Sequence, residues 1–153
     1  MFPTGNWNYF YFMNEEKRKR LEALYHALKS ARVDFIVDAL HDNVEYISYA
    51  PSKVFPYLGH HRGKANVVGS LRAIFEQYEF LTYEPIFMVI EGDSAAVMIF
   101  ARAYHRASRH TIQIMIAHFV RFRENRIVEV REFMDSFDAV QQLLGRELNV
   151  PAV

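Results

Sequence analysis

The sequence predicts an α+β fold in which helices close a curved antiparallel sheet over a pocket. Two observations carry this. Up to about Tyr78 apolar residues recur at helical spacing, with one strand-like stretch between the helices. From Pro85 to Met134 the period falls to two, broken by short polar turns. Helices first, then a run of strands, make an antiparallel sheet rather than a parallel βαβ repeat.

The elements follow in order. Met1 to Met13 is an aromatic stretch without a period, read either as an arm packing on the body or a partner, or as a loose tail. Asn14 is placed to cap a helix, with Glu15 and Glu16 at its positive end and Leu21, Leu24, Tyr25 and Leu28 on one apolar face. Asp34 to Leu40 reads as a shorter helix, and Val44 to Tyr49 as a strand rich in β-branched and aromatic residues. Pro51 to Gly63 is a loop, marked by Pro and Gly. A third helix runs from about Lys64 to Tyr78, with Val67, Val68, Leu71, Ile74 and Phe75 on its stripe. Strands follow at Pro85–Ile90, Ala95–Arg106, Thr111–Arg123 and Arg126–Met134, the last two folded on Glu124-Asn125. A short helix, Phe137 to Leu144, ends at Gly145. One domain over residues 14–146 is expected, with 147–153 as a tail.

Composition narrows the function. Hydrophobic residues make up 51% and charged residues 24% of the chain, which suits a globular domain. Aromatics reach 15%, enough to line a pocket for a small hydrophobic molecule as well as to fill a core. The formal net charge is zero, so no long-range attraction favours nucleic acid or an anionic membrane. Without Cys there is no disulfide and no thiolate nucleophile or ligand. No apolar run approaches the roughly 20 residues of a membrane helix, and the first residues lack the pattern of a signal peptide, so the cytoplasm is expected. His60-His61 and the other histidines lack the spacing of a metal-binding helix, and no Gly-rich phosphate loop occurs, so neither a metal nor a cofactor is expected.

The segment AHFVRFRENRIVEVREFMDSFDAVQQLLG, Ala117 to Gly145, has an aromatic strand, a short turn, an Ile-Val strand and then Arg131, Phe133 and Asp135 in an Arg-x-aromatic-x-Asp pattern. It resembles the end of SnoaL-like polyketide cyclases and ketosteroid isomerase-like proteins of the nuclear transport factor 2-like superfamily. Limonene-epoxide-hydrolase-like enzymes end this strand similarly. Gly59, Arg62 and Gly63 before a helix, and Glu91-Gly92-Asp93 before a strand, extend the resemblance over roughly Glu15 to Gly145. It implies a cystatin-like cone and usually a homodimer. In the isomerases an acidic base precedes a Pro at the end of the first strand. Tyr49-Ala50-Pro51 has no carboxylate there, so steroid isomerisation by that route is not expected. The oxyanion-side acid of those enzymes falls near His118.

Pairing the last two strands directly from Glu124-Asn125 sets His118 opposite Arg131, Ile116 opposite Phe133 and Ile114 opposite Asp135. One face then carries Ile114, Ile116, Val120 and Phe133 as apolar walls, with His118, Arg131 and Asp135 as convergent polar groups. Tyr46 and Tyr49 point to opposite faces of their strand, so at most one joins them. Asp135 is the candidate general base or acid, His118 could transfer a proton or polarise a carbonyl, and Arg131 could bind an enolate or carboxylate. The plainer alternatives are an Asp135 helix cap, an Arg131 pair with Glu129 or Glu132 at the surface, and a core His118. A one-residue register slip would break the cluster. The other hairpin face, with Met115, Ala117, Phe119, Val128, Val130 and Met134, is apolar enough to bury in a dimer. The expected function is a cofactor-independent isomerase, cyclase or hydratase acting on a small apolar carbonyl compound. The alternatives are a binding module for a hydrophobic ligand and a dimeric protein-interaction domain.

Overall fold

A computed structural model describes residues 7–152. Helix α1 (Trp7–Lys29) leads into α2 (Val33–Ala39) and strand β1 (Leu40–Ser48). A loop and the short β2 (His60–Arg62) precede α3 (Lys64–Gln77). The meander β3 (Tyr78–Glu91), β4 (Ser94–His105), β5 (His110–Arg123) and β6 (Arg126–Met134) follows, and α4 (Ser136–Leu144) closes the chain. The strands form one curved, unclosed sheet of six, ordered β2-β1-β6-β5-β4-β3.

The helix does not start at the expected Asn14. Trp7 to Met13 contains neither Pro nor Gly, so nothing stops α1 from beginning earlier. Asn14 instead donates from Nδ2 to the Ile90 carbonyl, 3.4 Å away. Of the aromatic arm expected over Met1–Met13, residues 1–6 lie outside the described residues. The sheet also departs from a purely antiparallel one, because β1 pairs parallel with β6. That pairing sets Tyr46 beside Val130 and Ser48 beside Glu132.

The β5–β6 turn matches its sequence. Glu124 and Asn125 both have positive φ, 51° and 59°, as a two-residue hairpin turn requires. Arg123 faces Arg126 and Phe122 faces Ile127, as expected from the turn. One residue later the register shifts through a bulge, and Val120 faces Val130 rather than Glu129. Every partner beyond it is displaced by one, so His118 faces Glu132 and Phe119 faces Arg131. The cause is legible in the packing. Ile127 and Val130 both line the interior, and inward positions three residues apart cannot occur in an unbroken strand of period two.

The core lies between the concave face of the sheet and α1, α2, α3 and α4. Leu21, Tyr25, Ile36, Val44, Ile99 and Val120 are its most enclosed large side chains. Lys17 is also buried. Its ammonium bonds the Gly92 carbonyl and the Asp93 carboxylate, the latter at 2.7 Å, and lies over the Phe122 ring, 5.6 Å from its centre. This clasp ties α1 to the β3–β4 turn. Lys17→Met keeps most of the packing but removes a buried, charge-assisted link, and should lower unfolding free energy by about 1.5–3 kcal/mol in urea denaturation.

Candidate functional site

The concave face of the sheet and the helices frame a partly open cavity of about 130 Å³. Its walls are almost wholly apolar: Leu24, Leu28, Ile36, Phe55, Leu58, Ile74 and Phe80 are among them. At one part of the wall a connected polar group interrupts this lining. The Tyr25 hydroxyl lies 3.2 Å from His118 Nδ1, and His118 Nε2 lies 3.1 Å from Glu132 Oε2. Tyr46 and Ser48 donate to the other oxygen, Oε1, at 2.8 and 3.0 Å.

Each member arrives from a different place in the chain. Tyr25 comes from the buried stripe of α1, Tyr46 and Ser48 from alternate positions of β1, His118 from β5 and Glu132 from β6. His118 and Glu132 are direct cross-strand partners, which brings their side chains together on one face. All are at least nine-tenths buried.

The electrostatics fix most of the protons. Burial alone would raise the Glu132 carboxyl, but hydrogen bonding and attraction from His118, with the hydroxyls of Tyr46 and Ser48, outweigh it and hold the acid below its ordinary value. Glu132 is therefore a carboxylate and can only accept, so His118 Nε2 carries a proton toward it. Burial, reinforced by the Glu132 charge, pushes the phenols of Tyr25 and Tyr46 well up and keeps them protonated. Tyr25 can then donate to His118 Nδ1 when the ring is neutral, or accept from it when the ring is an imidazolium. The chain Tyr25–His118–Glu132 can thus take up and return one proton.

The sequence-predicted residues divide. Tyr46, Ile114, Ile116, His118 and Val120 line the cavity. Arg131, Phe133 and Asp135 do not share that face, which corrects the expected cluster. The bulge turns Arg131 and Phe133 to the convex face of the sheet. There Arg131 binds Glu129 at 3.1 Å and the Tyr49 hydroxyl at 2.9 Å, and Phe133 stacks on Tyr49 with ring centres 4.4 Å apart. Asp135 caps α4, its carboxylate accepting from the Asp138 amide at 3.0 Å. The same shift moves Val130 and Met134 off the expected dimer face and onto the cavity wall. Glu132 and the role of Tyr25 were missed. The signal for Glu132 was present: Val128, Val130 and Met134 alternate with it, so its face is three-quarters apolar. Among the described residues no three His, Asp or Glu side chains converge as a metal site would need.

The description of the SnoaL-like domain matches residues 21–130, most of the sheet and the helices that cover it. The chain belongs to the SnoaL-like family. No curated protein matches this SnoaL-like chain. Among solved structures it is similar to a candidate isomerase from Rhodopseudomonas palustris, with 30% identity over 81% of this chain and 92% of that one and a TM-score of 0.74. It is also similar to an NTF2-like protein from Burkholderia xenovorans LB400, with 19% identity, 85% and 97% coverage and a TM-score of 0.73. An LEH-like epoxide hydrolase from M. tuberculosis matches at 18% identity, 87% and 92% coverage and a TM-score of 0.71. The last two likenesses establish the nuclear transport factor 2-like fold and no activity. No helix among the described residues is long and apolar enough to cross a membrane.

The protonation pattern predicts a stability profile. The folded Glu132 carboxyl titrates below its ordinary value of 4.5, so its ionisation stabilises the fold fully above about pH 4.5 and that contribution is lost as pH falls through the lower folded value. Tyr25 and Tyr46 titrate above the ordinary 10.0, so their contribution is complete below about pH 10 and is lost as pH rises beyond it. Urea midpoints measured across pH should fall at both ends, and Glu132→Gln should make the acid limb shallower.

Proposed function

We propose that this protein is a cofactor-independent isomerase, cyclase or hydratase acting on a small apolar carbonyl compound, with His118 and Glu132 as its proton-handling pair. The observation that supports this most is the buried Tyr25–His118–Glu132 chain on the wall of an otherwise apolar cavity. An ionised carboxylate is expensive to bury, and a hydrophobic replacement of similar volume is often no less stable. Titratable groups held this way in a cavity are candidates for function. The R. palustris relative, named as a candidate isomerase, adds support for this reaction class.

The proposed step balances without a cofactor. A proton leaves the carbon next to the ligand carbonyl for Tyr25 Oη as the phenolic proton moves to His118 Nδ1. The imidazolium formed is paired with the Glu132 carboxylate. Return of the proton at another atom completes an isomerisation, and return after ring closure completes a cyclisation. Exchange of α-protons for deuterium in D2O, followed by NMR on compact ketones, tests this. The wild-type protein should catalyse exchange, and Glu132→Gln should slow it about 100-fold or more, in line with general-base contributions. Ligand retained in native mass spectrometry with no exchange for any ketone would overturn the enzyme reading in favour of a binding module.

We further propose a homodimer through the convex face of the sheet. Phe87, Met98, Met115, Phe119 and Phe133 are exposed there. Clustered apolar exposure of this kind favours an isologous contact. Sedimentation velocity at micromolar concentration should show a dimer, and Phe119→Asp should shift it to monomer. A wild-type monomer under those conditions would refute the assignment.

A further inference from the structure

The phenols around the buried carboxylate are not equivalent. The Tyr46 hydroxyl is committed to Glu132 and the Tyr25 hydroxyl to His118. Tyr83, on β3, lines the same cavity and is only 7% exposed. Its ring lies against those of Tyr25 and Phe80, with centroids 6.1 and 4.9 Å apart. Its hydroxyl has no hydrogen-bond partner among the described residues. No fully enclosed side-chain oxygen or nitrogen among them lacks a partner, so the Tyr83 hydroxyl is not sealed off, and the cavity is the space its residue lines. The helix runs along β3 with Asn14 at Ile90 and Arg18 at Met88, which leaves Tyr25 beside Tyr83.

The backbone shows why Tyr83 is there. Phe80 pairs with Ala103, and Tyr83 pairs with Ala101, although three residues separate the first two and two the second. The extra residue, Leu81, sits in a bulge and is exposed. Without it, Tyr83 would lie on the opposite face from Phe80. Bulges that re-aim a side chain into a site are common beside functional centres. A phenol whose O–H has no protein partner on an apolar wall is a donor free to be taken up by an acceptor that enters the cavity.

We propose that Tyr83 is the hydroxyl that donates a hydrogen bond to the oxygen of the cavity's ligand, so that the ligand's carbonyl lies at Tyr83 and its neighbouring carbon faces the Tyr25–His118 pair. This rests on reading the cavity as a ligand site. Burial and the neighbouring Glu132 charge keep the Tyr83 phenol protonated, so it acts as a donor and not as a base. The occupant is a compact ketone or similar acceptor: a cavity of about 130 Å³ is close to the roughly 150 Å³ known to admit a single benzene ring. A hydroxyl with no protein partner also gives selectivity, because a ligand of the same shape without the oxygen leaves it unmet.

The test compares cyclohexanone with methylenecyclohexane, which differ in the oxygen and little in shape. Calorimetric titration of the full-length wild-type protein should show cyclohexanone binding about tenfold more tightly. Tyr83→Phe should bind the two alike, with methylenecyclohexane affinity unchanged, which also reports that the cavity is intact. The infrared carbonyl stretch of bound cyclohexanone should move to higher frequency in Tyr83→Phe and stay in place in Tyr25→Phe. If both probes bind and Tyr83→Phe alters neither their ratio nor the carbonyl frequency, the Tyr83 assignment is overturned and the ligand cavity stands. If neither probe binds the wild-type protein, both fall.

Discussion

The arrangement of the interior turns on the Glu132 carboxylate. A buried negative charge needs a donor for each oxygen and a nearby positive or polarisable partner, or its desolvation costs several kcal/mol. Here Oε1 receives Tyr46 and Ser48 and Oε2 receives His118. Those donors belong to β1 and β5, the two strands that flank β6. The carboxylate therefore fixes the side chains of three adjacent strands relative to one another. Through His118 it also reaches Tyr25 on α1, so the helix covering the sheet is oriented by the same charge. Removing any one donor leaves the others holding an undercompensated charge, which is why such a network is all-or-none in its geometry.

Two bulges make this possible. In β6 an extra residue after Ile127 turns Val130, Glu132 and Met134 inward. In β3 the extra Leu81 turns Tyr83 inward. Strand parity is otherwise rigid, since each residue's face is set by its neighbour's. Each bulge separates an apolar anchor, Ile127 or Phe80, from a polar residue an odd number of positions away, and lets both face the cavity. The same displacement turns Arg131 and Phe133 outward, where Arg131 is solvated beside Glu129 and Phe133 adds to the apolar convex surface. A single irregularity thus sorts one strand's side chains between the polar group of the cavity wall and the apolar convex surface.

That sorting also explains what could be read from the sequence. Period and turn chemistry placed β6 at its observed bounds and the β5–β6 turn at Glu124-Asn125, because both depend on local patterns. Helix α3 was legible for the same reason. His118 and Tyr46 were found on the cavity side because their own strands are regular around them. Arg131, Phe133 and Asp135 were assigned to the cavity by counting across a hairpin as if no residue were extra. Bulges have no fixed sequence signature; here the clue was the pair Ile127 and Val130, both apolar and out of phase. Tyr25 looked like a core residue of a helical stripe, and it is one. Its hydrogen bond to a residue 93 positions away depends on tertiary packing that no local pattern records. The parallel pairing of β1 with β6 was hidden likewise, since nothing local marks where a strand inserts.

A catalyst and a passive container call for different polarity in a cavity wall. Holding an apolar ligand requires shape and dry walls, which Phe55, Leu58, Ile74 and their neighbours provide. Orienting it requires at most one donor or acceptor. The cavity wall carries more than that: a carboxylate, an imidazole and a phenol joined in a line along which a proton can shift without a net change in charge. Because the imidazolium would form beside an existing carboxylate, charge separation within the apolar enclosure stays small at each stage. The ligand's own developing charge would then be the only one requiring stabilisation. A line of this kind is a burden for a container, which gains nothing from burying a carboxylate. For a protein that moves protons on its ligand, it supplies the acceptor, the orientation and the return path in one connected group.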